Sequence, residues 1–150
     1  QFSIKEIDDM FQVMAILEGM CAELAAAKMT PADLKKIEKL HKDLERNYKA
    51  NDHKAYKKTN SILHALIQEI AGNAAINEVI AGLRQKILLF RFRQLYEPER
   101  FKKSIREHRV LLDALKQKDS KKAKEAMQKH LLAQSRTLIN IIKEKEMEKN

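Results

Sequence analysis

Chain breakers are scarce in this sequence: 150 residues carry three glycines and two prolines. Turn-rich β architectures need far more punctuation than that, so the chain must be built from a few long segments. The spacing of its apolar residues says which kind. They recur three and four positions apart along most of the chain, the period of an α-helix with one buried face. The reading is an all-α fold, a six-helix antiparallel bundle in a single domain over residues 1–150. A chain of this length buries roughly 68–70% of its unfolded surface.

The few breakers and caps divide the chain. Ser3 with Glu6 forms a capping box, which opens a helix over about 4–27 on Ile7, Met10, Met14, Leu17, Cys21 and Leu24. Thr30 followed by Pro31 starts a second helix, to about residue 50. Asp52 caps a third, with the stripe Tyr56, Asn60, Leu63, His64, Ile67 and Ile70. Gly72-Asn73 ends it and starts a fourth, expected to reach about residue 95. That fourth helix has two apolar stripes. Ile76, Ile80, Leu83, Ile87 and Phe90 make one, and Ala81, Leu88, Phe92 and Leu95 the other. It is either central or shared with a second copy. Pro98 opens the fifth helix and Asp119 caps the sixth, whose charged end over 143–150 is expected to fray.

Polar residues at interior positions carry the functional signal. His64, His108 and His130 each interrupt an apolar stripe, on three different helices, and Asn60 lies one turn before the first. A buried imidazole needs a partner, and helical bundles build metal sites from side chains of facing helices. Neutral imidazole with an amide oxygen suits a divalent transition metal. Zinc is the first expectation, with nickel, iron, copper and manganese as alternatives. The competing reading is three core histidines satisfied by hydrogen bonds. His53 falls in a turn and reads as surface. His41, flanked by Lys39 and Lys42, reads as partly exposed, and Glu38-x-x-His41 is a single copy of a unit that di-iron bundles repeat. Glu18, near the inner face of the first helix, reads as a structural carboxylate paired with an arginine or lysine.

The formal charge of +9 admits anionic partners. Most lysines and arginines, however, alternate with acids at exposed helical positions. The single cysteine, Cys21, excludes an internal disulfide and fits a reducing cytoplasm. It reads as a buried inert thiol. No apolar run of the ~18 residues needed to span a bilayer stands out, so no membrane partner is expected. No glycine-rich phosphate loop or nucleophile motif is found. The chain begins at Gln1 rather than Met, as a piece of a longer protein would.

These residues together resemble the FCD domain, the C-terminal effector-binding and dimerisation domain of GntR-family transcriptional regulators. Leu17-Glu18 with Ala22, Leu24 and Ala25-Ala26 is similar to the family's first helix, and Thr30-Pro31-Ala32-Asp33-Leu34 to its second start. Asn60-Ser61-Ile62-Leu63-His64 resembles the family's Asp-x-x-Phe-His, and Ala71-Gly72-Asn73 its small-Gly-Asn turn. Glu107-His108 with Leu111-Leu112-Asp113-Ala114-Leu115, and Asp119 with Ala123, Ala126-Met127 and His130-Leu131, complete the pattern. The resemblance implies the smaller, six-helix variant. It also implies a metal held by Asn60, His64, His108 and His130, and a small carboxylate-bearing effector beside it. A homodimer, and DNA contact only through an upstream winged helix-turn-helix domain outside these residues, follow from it too.

Two positions depart from the family pattern. Asn60 stands where Asp is usual, which keeps an oxygen but removes a negative charge. Met14 stands where an effector-holding Arg is common, with Arg84 and Arg91 as candidates to replace that cation. The rival readings are a di-metal helical-bundle oxidase, which needs several inward carboxylates, and a basic helical module that binds nucleic acid directly.

Overall fold

Every helix but the one that opens at Pro98 begins where a side chain satisfies its free amides. The computed structural model describes residues 2–91 and 93–150, with the backbone alone over 88–91. It contains α1 (Ile4–Lys28), α2 (Pro31–Lys49), α3 (His53–Ala71), α4 (Ala74–Arg91), α5 (Pro98–Lys116) and α6 (Ser120–Glu148). Ser3–Glu6 and Thr30–Asp33 form reciprocal capping boxes. Asp52, Asn73 and Asp119 each accept from a backbone N–H of the following first turn. Gly72 ends α3 in the left-handed region at φ 71°, and Lys28 Nζ donates to the Ala71 carbonyl at 2.8 Å.

Helix α1 is the centre of the bundle, contacting α3, α4, α5 and most extensively α6, while α2 packs on α3 and α5. Its composition explains the position. Ala15, Gly19, Ala22 and Ala26 present small side chains along one line, and all are buried. A Cβ built on Gly19 would stand 2.7 Å from Gln128 Cγ of α6, so the two helices close on a missing side chain. By length and hydropathy α1 could cross a membrane, contrary to the expectation that no such run exists, but half of its most apolar window is buried inside the bundle. Its apolarity is that of a core helix surrounded by four others.

Two further expectations are corrected. Helix α4 ends at Arg91 rather than near residue 95, and a 3₁₀ turn, Arg93–Tyr96, leads to α5. The residue before Pro98 is confined to extended backbone (Glu97, ψ 117°), so the chain tightens before it can restart. Leu95 lies in that turn and is buried, whereas Ala81 is exposed. They do not share one stripe, and the side chains of Leu88, Phe90 and Phe92 fall outside the described residues. Helix α6 does not fray at residue 143 but runs to Glu148, with Ile142 still packed against the core.

Gly72→Ala should destabilise the chain by about 1–2 kcal/mol, the cost of a Cβ in left-handed backbone, whereas Gly72→Asn should cost less. The space around the site is open enough to exclude a steric explanation, the nearest atom being 3.7 Å from the added carbon. Urea denaturation of the two variants checks the ranking.

Candidate metal centre

His64 from α3, His108 from α5 and His130 from α6 meet in the core. Each offers one ring nitrogen within 4.8 Å of the others. Ring centroids lie 5.5 Å apart for His64–His108, 5.5 Å for His64–His130 and 4.5 Å for His108–His130. All three rings are at most 2% exposed, and Asn60, one turn before His64, is 3% exposed. The four residues expected at the site are therefore all interior. Among the described residues this is the one cluster with metal-holding geometry.

Two of the rings are held from behind by carboxylates. His64 Nδ1 lies 3.0 Å from Glu18 Oε1 of α1, and Arg84 Nη2 of α4 donates to the same oxygen at 2.7 Å. His130 Nδ1 lies 2.6 Å from Glu107 Oε1 of α5. Arg100 clamps Glu107 with both terminal nitrogens, and its Nε donates to Gln94 in the 3₁₀ turn at 2.8 Å. A carboxylate that accepts the Nδ1–H of an imidazole fixes the tautomer and turns the Nε2 lone pair toward the opposite side. Burial pushes the Glu107 carboxyl up, but the hydrogen bonds from Arg100 and His130 outweigh it and hold the group below its ordinary range. Burial, together with the neighbouring His130 and His64, holds the His108 imidazole well below its ordinary value. His108 is therefore neutral at pH 7, the form in which imidazole ligates.

Orphaned atoms test the fit to a metal. Neither ring nitrogen of His108 has a hydrogen-bond partner among the described residues, and neither has Asn60 Oδ1. Fully buried polar atoms of this kind are rare without a ligand. A hydrogen-bonded set of core histidines would leave fewer. Three imidazole nitrogens and an amide oxygen in a closed cluster are a donor set that fits a divalent transition ion.

The remaining residues sort as follows. Glu18 is paired with Arg84, as expected of a structural carboxylate. With Glu107 it lies behind the rings, so the inward carboxylates that a di-metal oxidase requires are committed to histidines and arginines. Met14 is fully buried on α1, one turn before Glu18. Arg84 reaches the same helix face, and its Nε is buried with no partner among the described residues. The Arg91 side chain lies outside the described residues. His41 is buried rather than partly exposed, because Glu45 Oε1 (3.1 Å) takes up its Nε2 while Arg109 clamps Glu45. Glu38 pairs instead with Lys116 at 3.9 Å, so no Glu-x-x-His unit forms. His53 opens α3 half-buried, stacked on Tyr96 and Phe101 at 4.7 and 4.4 Å, rather than lying on a surface turn. Burial raises the Cys21 thiol to about 11, which suits an inert core residue.

The sequence pattern gave no role to Arg100, Glu107 or Gln134. Arg100 sits in the first turn of its helix, where a charge reads as solvated. Glu107 and Gln134 did carry a signal, one beside His108 and the other one turn beyond His130.

The described residues form a six-helix bundle with a buried histidine cluster, and comparison with known proteins gives the family. The family model of the FCD domain matches residues 9–133, and the chain belongs to that family. Two solved structures of GntR-family regulators share the fold. One is Streptococcus agalactiae GntR, at 27% identity and TM-score 0.73, covering 87% of this chain and 58% of that one. The other is E. coli McbR/YncC, at 22% identity and TM-score 0.79, covering 87% and 66%. The chain thus spans less than two thirds of the length of either. A search of curated proteins finds no match.

Burial of neutral His108 gives stability a defined pH dependence. The unfolded chain takes up a proton at this residue near pH 6.5, while the folded chain does so only at lower pH. Its contribution is therefore complete above that value and declines as pH falls below it, by up to ~1.4 kcal/mol per unit. His41, also depressed chiefly by burial, adds in the same direction. Metal-stripped protein should melt at a lower temperature at pH 5.5 than at 7.5, and His108→Phe should flatten that slope. Equal melting temperatures in the parent protein would refute the assignment.

Proposed function

We propose that this chain is the effector-sensing and dimerisation part of a bacterial transcriptional regulator. It holds one divalent ion on Asn60, His64, His108 and His130 and responds to a small carboxylate. The observation that carries the reading is the convergence of three buried imidazoles with orphaned ligand atoms at His108 and Asn60. When bound, the ion supplies a fixed positive charge that polarises and anchors an anionic ligand. The protein supplies the rest. Glu18 and Glu107 orient His64 and His130, and the surrounding apolar core excludes water. With no anionic ligand atom in the set, the charge of the ion is left for the effector to neutralise. Arg84, whose buried Nε has no partner among the described residues, takes the role of the cation missing at Met14. The role is regulatory rather than catalytic. DNA contact belongs to a winged helix-turn-helix domain upstream, and the rival of direct nucleic-acid binding by these residues has no groove-reading set behind it.

Zinc or nickel added to metal-stripped protein should raise its melting temperature, by the equivalent of about 2.7 kcal/mol at a hundredfold excess over Kd. Ala at His64, His108 or His130 should lower metal content and this shift together, and Asn60→Asp should tighten binding. A short carboxylic acid should stabilise the metal-loaded form only. Full metal occupancy in all three alanine variants would sink the reading.

The dimer reading rests on outward apolar residues of α1 and α4, which pack side by side. Val13, Ile16 and Met20 of α1 are 43%, 55% and 37% exposed, and Val79 of α4 is 50% exposed. On this reading α1 shares the interface with α4. Ile16→Lys with Val79→Lys should give a folded monomer by light scattering and circular dichroism. A variant that stays dimeric would move the interface elsewhere.

A further inference from the structure

Gln134 lies one turn beyond His130 on α6 and just outside the segment that the family model matches. It is 2% exposed. Its amide Nε2 stands 3.0 Å from His130 Nε2, the nitrogen opposite the one that Glu107 engages. Its Oε1 is buried and has no hydrogen-bond partner among the described residues. An amide at this place caps the imidazole lone pair. It also occupies the side of the ring from which an ion would be bound.

The distance is informative in a second way. Transition ions hold nitrogen and oxygen donors at about 2.0–2.2 Å. Two donors at right angles on one ion are then ~3 Å apart. That is the separation already present between the Gln134 amide and His130 Nε2. Half a turn of the amide exchanges Nε2 for Oε1 at the same position, which turns a donor to the imidazole into a donor to the metal. The exchange needs no backbone movement, and it gives the orphaned oxygen a partner.

We propose that Gln134 is a further ligand of the metal centre, supplying its amide oxygen when the ion binds and capping the His130 lone pair when it is absent. The inference rests on the metal reading above. It makes the protein set three imidazoles and two amide oxygens, five donors, which favours an ion that accepts five or six ligands over one held tetrahedrally. In a six-coordinate site one position would then be left for solvent or an anionic effector.

Cobalt(II) is a suitable probe, because its visible absorption is weak in six-coordinate sites and strong in four-coordinate ones. Metal-stripped parent protein titrated with cobalt should give the weak, high-coordinate spectrum. Gln134→Leu should bind about tenfold more weakly and shift the spectrum toward lower coordination. Gln134→Glu, which keeps an oxygen at the same reach and adds a charge, should restore or exceed the parent affinity. Thermal melting of the metal-free variants reports folding, and Gln134→Met stands in should Gln134→Leu fail to fold. If the leucine or methionine variant binds cobalt as tightly as the parent, or more tightly, with an unchanged spectrum, Gln134 only caps His130 and the proposal falls while the metal site stands. If the parent takes up no cobalt, zinc or nickel, the metal reading falls and this one with it.

Discussion

Three imidazoles packed side by side in a hydrophobic core impose the constraint from which the rest of this structure follows. Each brings polar atoms into a place without water, where an unmade hydrogen bond costs about 1–3 kcal/mol. For His64 and His130 the chain meets the demand with carboxylates, each of which meets its own with an arginine, while His108 has no hydrogen-bond partner among the described residues. Glu18 and Arg84 stand behind His64, and Glu107 and Arg100 behind His130. The first network ties α1, α3 and α4 together. The second ties α5, α6 and the 3₁₀ turn. Helix α2 joins through His41, Glu45 and Arg109 of α5. Buried ion pairs of this type add little net stability, yet removing one partner typically costs 3–5 kcal/mol. They act here less as glue than as a specification of which helix stands where.

The fold was legible because it rests on local rules. Ser3, Thr30, Asp52, Asn73 and Asp119 each cap the helix whose start they announce, and Gly72 takes the left-handed conformation that a stop requires. The interior phase of Asn60, His64, His108 and His130 was legible for the same reason, since periodicity alone assigns a residue to the inner face. Periodicity could not reveal partners. Arg100 looks solvated in sequence and is buried because Glu107, about two turns of helix further on, and Gln94, before the helix begins, surround it. His41 looks exposed between lysines and is buried because Glu45 covers it. The 3₁₀ turn Arg93–Tyr96 reads as α-helix in sequence because an apolar run alone does not separate the two.

Helix α1 serves two surfaces with one run of residues. Its inner line carries Glu18 into the histidine cluster, and its outer line presents Val13, Ile16 and Met20. The two lines are offset around the same rigid cylinder. A rotation of α1 that withdrew Glu18 from His64 would necessarily turn the outer residues as well.

Gly19 sits next to Glu18, and its contact Gln128 lies two residues before His130. The distance between the helix that steadies His64 and the helix that carries His130 is thus gauged by the side chain that Gly19 does not have. A chain of this fold with a larger residue there would have to turn the Gln128 side chain aside or space α1 and α6 more widely. In the second case His130 would move away from the helix that steadies His64. The selectivity of a cluster built from three helices is in this sense written partly at a position that has no donor atom to offer.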